Sequence, residues 1–385
     1  MRPIGILYEH PEWFKLLFAE LERRNFPFER MFVDEHWFDP AAREAPYSVV
    51  VNRVSPSSYL RGHAGSILYA RQVLAWLESA GVPLVNGSDA YTLETSKALQ
   101  LLLFERLGVR YPRARVVNHP SQLERAAEGL TYPIIVKPNV GGSGALMQRF
   151  ESPAALRHAA SAGAIDFGID RTALVQEYLA PADGSIVRVE VLDGDYLYAI
   201  RIQTNPDEGF NLCPADICRV DGAPALAGPV APNRIAATPN VGGYAAGEAC
   251  DYGAGTVARP VTVAAALNGA GNGAPAQGAA AQGSGAALAP PVDEALAKRP
   301  LNVEPYTPPR EVVEDAVRLI KAGGIDVGGV EYLVSARDGR PYFYDVNALS
   351  NFVSDAPNLL GFDPTARFVD YLAARAGVRA TVAPK

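Results

Sequence analysis

The first part of the chain alternates between short apolar runs and stretches with apolar residues at helical spacing. Apolar runs at residues 4–8, 48–51 and 82–85 are typical of buried strands, and residues 28–33 are a further strand candidate. Residues 12–24 and 67–79 place apolar side chains three or four positions apart, which predicts helices. This β-α-β-β-α-β order predicts a small α/β unit with a mainly parallel sheet.

The next part of the chain predicts an α+β arrangement. Residues 90–107 indicate one long helix that ends at Gly108. Asp193-Gly194 and Asp338-Gly339 each separate two strand-like runs, and both pairs are strong hairpin signals. Further strands are predicted at residues 114–117, 134–137, 145–150, 173–178, 187–192, 196–202, 330–335 and 342–346. Further helices are predicted at residues 121–128, 154–162, 309–322 and 364–376.

One segment departs from the composition of the rest. Residues 222–292 are 71 positions with only four charges, and residues 264–289 hold 12 Ala and 6 Gly. Such a segment has little to bury, so it predicts a flexible insertion. The predicted domains are an N-terminal α/β domain (1–87), a central and lid subdomain (88–180), a C-terminal subdomain (181–221 with 301–378) and the insertion (222–300).

Charge and cysteine usage narrow the function classes. The 385 residues include 35 basic and 42 acidic side chains, a net charge of −7. No basic cluster suggests a nucleic-acid or membrane face, and no apolar run approaches the ~20 residues of a membrane span. Three cysteines are too few for a disulfide framework, and the N-terminus lacks the pattern of a secretory signal. We expect a cytoplasmic protein.

Two lysines and a glycine-rich loop are the first candidates for chemistry. Lys97 lies in the predicted long helix, where a lysine is ordinarily a solvated surface residue. Lys137 ends an apolar run, where a charge is costly without a negative partner. It precedes a loop containing Gly141, Gly142, Ser143 and Gly144. Successive backbone N–H groups in such a loop can hold phosphate oxygens, although a plain hairpin turn explains the glycines equally well.

Acidic and amide side chains near the end of the chain form the second group. Asp345 and Asn347 are two positions apart on one predicted strand, so their side chains share a face. Glu331 lies on the preceding strand of the same hairpin, within cross-strand reach. Two carboxylates and an amide oxygen suit Mg²⁺ that bridges phosphates.

The order of these motifs resembles the ATP-grasp superfamily, and within it the RimK-like and glutathione-synthetase-like carboxylate–amine ligases. The resemblance covers residues 1–221 and 301–376. It implies an ATP-grasp fold preceded by a small α/β domain, with Mg²⁺ and ATP as cofactors and Mn²⁺ as an alternative ion. It also implies small-molecule or peptide substrates that supply a carboxylate and an amine, and a homodimer.

The resemblance assigns roles residue by residue. Lys97 and Lys137 would hold the phosphates under a lid formed by residues 141–144. The sequence Gln176-Glu177-Tyr178-Leu179 would bind adenine, with Glu177 at the amino group, and Asp183 would contact the ribose. Arg188, Lys137 and Arg201 would carry the catalytic positive charge. The metal ligands would be Glu331, Asp345 and Asn347.

The chain departs from the family pattern in three places. The family has Asp at the position of Glu331 and Glu at that of Asp345, which shifts the oxygens by one methylene. Ile186 replaces a family aspartate two residues before Arg188. The segment after Leu212 lacks the family's acceptor loop, so the glutamate-adding activity on ribosomal protein is not implied for this chain.

Other functions stay open. An ATP-binding regulatory protein without turnover, an ATP-grasp kinase and a carboxylating enzyme would share most of these motifs. Four residues after the predicted N-terminal strands are candidates for substrate recognition at the carboxyl edge of the sheet, namely His10, Asn52, Arg53 and Ser57.

Overall fold

A computed structural model describes residues 2–10, 12–142, 144–204 and 302–377. They belong to one compact unit, which spans Met1–Pro229 and Lys298–Lys385. The predicted insertion at 222–300 lies outside the described residues, as do Ser143 and the three cysteines. The insertion and the domain boundaries therefore stay predictions.

The N-terminal part forms the parallel sheet that its pattern predicts. All neighbouring strands run parallel, in the order β2-β1-β3-β4. Strands β1 and β3 are buried at every position, as expected for strands covered on both faces. The strands are β1 (Ile4–Tyr8), β2 (Phe28–Phe32), β3 (Val49–Arg53) and β4 (Leu84–Val85). The helices are α1 (Lys15–Arg23) and α2 (Ala64–Ser79), with a short 3₁₀ helix at Ser58–Arg61.

The single long helix predicted at 90–107 is wrong. Two helices occupy this stretch, α3 (Ser88–Glu94) and α4 (Lys97–Leu107). Ser96 breaks the helix with an extended backbone (φ −151°, ψ 99°), and its hydroxyl accepts a hydrogen bond from the Leu99 amide. A serine in this position caps a new helix, which apolar periodicity alone does not reveal. Gly108 ends α4 in the left-handed conformation, as predicted.

The second sheet is antiparallel and carries the glycine-rich loop. Its order is β5-β8-β6-β7, and the loop joins β6 to β7. The strands are β5 (Ala114–Val117), β6 (Ile134–Pro138), β7 (Gln148–Phe150) and β8 (Ala173–Glu177). A 3₁₀ turn at Pro120–Gln122 leads into α5 (Leu123–Ala127), and α6 is Pro153–Ser161. The strand predicted from residue 145 begins only at Gln148, because Leu146 has a positive φ of 60° that interrupts extended backbone.

The third sheet is also antiparallel and carries the acidic hairpin. Its order is β11-β10-β9-β12-β13, and both predicted hairpins are present. The strands are β9 (Ser185–Leu192), β10 (Asp195–Gln203), β11 (Val303–Pro305), β12 (Val327–Val334) and β13 (Pro341–Asn347). The helices are α7 (Arg310–Ala322), α8 (Ala356–Leu360) and α9 (Pro364–Arg375). Helix α9 packs on α1, which joins this part to the N-terminal sheet.

Gly328 provides a test of how closely β12 and β13 approach. A Cβ at this position would lie 2.5 Å from the backbone carbonyl oxygen of Asn347, so the strand itself would have to shift. We expect Gly328→Ala to lower the melting temperature by about 5 °C. Gly65→Ala, in α2 where a Cβ meets nothing within 4 Å, is the matched control and should leave the melting temperature unchanged or slightly raised. Equal melting temperatures for the two variants would contradict this packing.

Candidate functional site

A cavity of about 500 Å³ brings together residues from the second and third sheets, from the start of α4 and from segments beside the N-terminal strands. Most of the residues singled out from the sequence line it, although they are up to 250 positions apart along the chain. Those lining residues are Lys97, Lys137, Gly141, Gly142, Gly144, Gln176, Glu177, Tyr178, Leu179, Arg188, Glu331, Asp345 and Asn347. The motifs therefore belong to one site.

Lys97 and Asp345 meet at one wall of this cavity. Because α4 begins at Lys97, the break after α3 directs this lysine to the cavity. Its Nζ lies 2.7 Å from Asp345 Oδ1. Asn347, on the same face of β13, donates its Nδ2 to Asp345 Oδ2 at 3.2 Å. The alternation of β13 thus places the carboxylate and the amide together, as their spacing predicts.

Glu331 lies opposite Asp345 in the strand register and opposite Arg188 on its other side. Arg188 Nη1 is 3.0 Å from Glu331 Oε1, and Arg188 Nε is 2.5 Å from Glu190 Oε1. Burial raises the pKa of Glu331, and Arg188 opposes part of that rise. Burial alone would lower the pKa of Arg188. The Glu190 and Glu331 carboxylates have the larger, opposite effect, so the net pKa is raised and this arginine is always charged.

Gly329 makes room for this arginine. A Cβ at Gly329 would lie 2.7 Å from Arg188 Nε and 2.8 Å from Glu190 Oε1. Each glycine of the 328–329 pair therefore lacks room for a side chain for a different reason. Gly328 lies against the backbone of β13, and Gly329 lies against the buried ion pair of Arg188 and Glu190.

Lys137 stands at the end of β6 with its side chain in the cavity. It is 3% exposed and makes no hydrogen bond or ion pair with the part of the chain that the structure describes. Burial, aided by the nearby Lys97 charge, lowers the pKa of Lys137 to about 8. A buried ammonium without a protein partner favours binding of an anion in the cavity.

The glycine-rich loop lies over the same cavity. Gly141 and Gly144 have φ of 153° and 67°, conformations that suit glycine. A Cβ at Gly141 would also lie 3.2 Å from the hydroxyl of Tyr59, which donates a hydrogen bond to the carbonyl of Val140. The loop backbone is therefore close to the N-terminal part of the chain. Ser143 lies outside the described residues.

Gln176 and Glu177 face different surroundings at the end of β8. Gln176 is 4% exposed, lines the cavity, and its Oε1 has no partner among the described residues. The Glu177 carboxylate instead accepts hydrogen bonds from the Thr131 amide at 2.9 Å and from Arg337 Nη1 at 2.8 Å. These contacts lower the pKa of Glu177 although burial opposes them. The carboxylate expected at the adenine amino group is thus already bound elsewhere.

Asp183 and Arg201 do not line the cavity. The Asp183 carboxylate accepts hydrogen bonds from the amide and hydroxyl of Ser185. Arg201 pairs with Glu304 at 3.3 Å, and its guanidinium lies 4.1 Å from the centre of the Tyr306 ring. Arg201 lies opposite Val187, whereas Arg188 lies opposite Ile200, so the two arginines point to opposite faces of the sheet.

Two residues that the sequence analysis did not select hold the acidic strand in place. Glu94 is buried at the end of α3, and its Oε2 accepts a hydrogen bond from the Ala348 amide. Burial raises the pKa of Glu94 to about 7. Gln100 bonds both backbone groups of Val346, at 3.1 Å to its N and 2.8 Å to its O. Had the sequence analysis placed a helix break after Glu94, that break would have drawn attention to both residues.

The four edge residues from the N-terminal sheet have mixed surroundings. Ser57 lines the cavity, together with Trp13 and Ser55. Arg53 is buried and donates to the Ser350 carbonyl and to Asn351 Oδ1. Asn52 accepts a hydrogen bond from the Val54 amide, and His10 stacks on Trp13 with 4.7 Å between ring centres. Of the four, Ser57 is the one that lines the cavity.

The candidate metal site contains too few acidic side chains to stand on carboxylates alone. Among the described residues, no group of three or more His, Cys, Asp and Glu side chains is arranged to hold a metal ion. The candidate metal set therefore depends on its amide, Asn347. No helix in the described ranges combines the length and apolar character needed to cross a membrane.

Comparison with known proteins identifies the fold. The solved structures that are similar to this chain include the ATP-grasp ligase PsnB bound to a minimal precursor. The TM-score is 0.56 and the identity 16%, and the match covers 97% of this chain and 100% of that chain. Another PsnB structure holds Mg and ADP as well as the precursor. The chain therefore has the ATP-grasp fold, as its motifs predict.

A family model matches part of the sequence. Residues 93–212 match the model of the RimK-like ATP-grasp domain, in agreement with the resemblance that the motifs predict.

Two curated relatives extend the comparison. The probable alpha-L-glutamate ligase 2 of Shewanella frigidimarina is 27% identical over 172 residues, covering 41% of this chain and 57% of that protein. A D-alanine–D-alanine ligase of Nitrosospira multiformis is 28% identical over 199 residues, covering 48% of this chain and 61% of that protein. The matches span less than two thirds of either relative.

Proposed function

We propose that this protein is an ATP-dependent carboxylate–amine ligase. The observation that carries the proposal is that two groups meet in one cavity of an ATP-grasp fold. They are the buried Lys137, which has no hydrogen-bond or ion-pair partner among the described residues, and a carboxylate–amide set. The ligases among its relatives and structural neighbours support the same reaction class.

The nucleotide would occupy the part of the cavity between the second and third sheets. Lys137 and Lys97 would hold its phosphates beneath the backbone N–H groups of Gly141, Gly142 and Gly144. Tyr178 and Leu179 would offer backbone groups to the adenine ring. We assign the adenine amino group to Gln176 Oε1, because that buried oxygen has no hydrogen-bond donor among the described residues. The Glu177 carboxylate already accepts hydrogen bonds from Thr131 and Arg337.

The acidic set fits a divalent ion. Glu331, Asp345 and Asn347 are neighbours across one hairpin, and all three line the cavity. Oxygen donors of this kind suit Mg²⁺, and Mn²⁺ is a second candidate. When bound, Mg²⁺ would neutralise charge on the terminal phosphates. Lys97 and Arg188 balance the two carboxylates from their other sides.

The reaction would proceed in two steps. An oxygen of the substrate carboxylate attacks the γ-phosphorus of ATP, which gives an acyl phosphate and ADP. The amine then attacks the acyl carbon, and phosphate leaves as the amine loses a proton. Lys137 and Arg188 would stabilise the charge on the transferred group and on the acyl oxygen by position alone. Asp183 and Arg201 lie away from the cavity lining, and this mechanism does not use them.

The substrates would be a small molecule or a peptide. The cavity lining also includes Ser55, Ser57 and Asn351, which offer hydroxyl and amide groups for polar recognition. The neighbour PsnB was captured with a precursor peptide, which supports a peptide as one class of partner.

Product analysis tests the proposal. With Mg-ATP, a panel of carboxylates and hydroxylamine as the amine, we expect ADP and a hydroxamate that appears only with the accepted carboxylate. AMP and pyrophosphate would contradict the acyl-phosphate route. A stable phosphorylated product without amine consumption would favour a kinase, and tight ATP binding without turnover would favour a regulatory protein.

A further inference from the structure

The segment that faces the adenine position is attached at both ends to one turn of the third sheet. Residues 178–182, here called the crossing segment, lead from β8 in the second sheet to β9 in the third. The attachment point is the turn between β12 and β13, residues 335–340. The crossing segment is part of the cavity lining through Tyr178, Leu179 and Ala180.

The far end of the crossing segment is held by backbone groups. Pro181 pairs with Ser335 in an isolated antiparallel bridge. The Ala182 amide donates to the Val334 carbonyl at 2.8 Å, and the Ala336 amide donates to the Ala180 carbonyl at 2.9 Å. No side chain is needed for these contacts, so most substitutions would preserve them.

The near end is held by an ion pair. Glu177, the residue before the crossing segment, is 2% exposed, and its Oε2 lies 2.8 Å from Arg337 Nη1. Its other oxygen accepts the Thr131 amide and lies 3.6 Å from Arg113 Nη1, both in the second sheet's part of the chain. The carboxylate therefore connects two groups on the lid side to one group on the C-terminal side.

From this geometry we infer that Arg337 is a positioning residue for the nucleotide base. It fixes the near end of the crossing segment through Glu177, while the Pro181–Ser335 bridge fixes the far end. The inference rests on the proposed nucleotide site. Glu177 acts as an anchor between two sheets. Arg337 does not line the cavity described above, and it affects base binding through Glu177.

Arg337 is suited to substitution because its side chain is 46% exposed, so removing it creates no cavity. Removing it does leave a buried carboxylate with one fewer charged partner, which allows the segment to move. The effect should be confined to ligands that carry the base. Phosphate groups would instead contact Lys137 and Lys97, as proposed above.

The test compares two probes by calorimetry, ATP and tripolyphosphate, each with Mg²⁺. We expect Arg337→Gln to bind ATP about fivefold more weakly, with tripolyphosphate affinity unchanged. Arg337→Lys, which keeps the charge, should recover part of the ATP affinity. Arg340→Gln is the matched control, since this exposed arginine on the same turn makes no side-chain hydrogen bond or ion pair with a described residue.

Different failures have different meanings. Wild-type affinity for ATP in Arg337→Gln would overturn the positioning role and leave the proposed function intact. An equal loss for ATP and tripolyphosphate would also overturn it, because the effect would then be general. A wild-type protein that binds neither probe would overturn the proposed nucleotide site and this inference with it.

Discussion

Lys137→Met is expected to reduce kcat/KM for ATP about a thousandfold while the protein stays folded. The substitution keeps the shape of the side chain and removes a buried charge that makes no hydrogen bond or ion pair with a described residue. Loss of one such group at a transferring phosphoryl centre costs about 10²–10³ in rate. Because the ammonium is buried and unpaired, its removal should leave the melting temperature equal or higher.

The pH dependence of ATP binding tests the same assignment. The free-enzyme pKa of Lys137 is about 8, so the ammonium loses its proton as the pH rises through that value. Affinity for ATP should therefore fall above about pH 8 in the wild type, and this fall should disappear in Lys137→Met. Lys321→Met, an exposed lysine of α7, should change neither property. A pH profile that is the same in both proteins would contradict the assignment.

Asp345→Asn is expected to remove most Mg²⁺-dependent turnover, with a loss of at least about a hundredfold. The substitution takes the charge from the carboxylate that lies between Lys97 and Asn347 and faces Glu331 across the strands. It also leaves the Lys97 ammonium without its ion-pair partner. We therefore expect a lower melting temperature in addition to the lower rate.

Metal titration separates these two effects. Binding of Mn²⁺ in the presence of nucleotide, followed by paramagnetic resonance, should weaken in Asp345→Asn. Asp345→Glu keeps the charge and should retain more metal binding than Asp345→Asn. Asp195→Asn, on an exposed hairpin end, is the control and should behave as wild type. Unaltered Mn²⁺ binding in Asp345→Asn would exclude this residue from the metal set.

Local patterns predict the strands and the turns of this fold well. Apolar runs locate β1, β3, β9 and β12 because these strands are buried along most of their length. The spacing of Asp345 and Asn347 also predicts their shared face, since alternation is a property of any strand.

Features that depend on a single irregularity were missed. The hairpin turn at Asp193-Gly194 would place Arg201 on the same face as Arg188 if the strands paired regularly. A register shift between Tyr196 and Tyr198 moves the pairing by one residue, which turns Arg201 to the other face. No residue type in that stretch marks the shift.

Side-chain partners far apart in the sequence were the other feature that local patterns do not predict. Glu177 stands in a motif that implies adenine binding, and its carboxylate accepts a hydrogen bond from Arg337, 160 positions away. Gln100 and Glu94 bond the end of β13 and the residue after it across still longer separations of 246 and 254 positions. Such contacts are set by how the sheets pack together, which the periodicity of one segment does not record.

In the proposed mechanism, ATP phosphorylates a substrate carboxylate in this cavity. Once the hydroxamate assay has identified the carboxylate, it can be labelled with ¹⁸O in both oxygens and turned over with Mg-ATP and the amine. We predict one labelled oxygen in the released inorganic phosphate for each amide formed. Label in AMP, or phosphate that carries no label while amide accumulates, would contradict the acyl-phosphate mechanism.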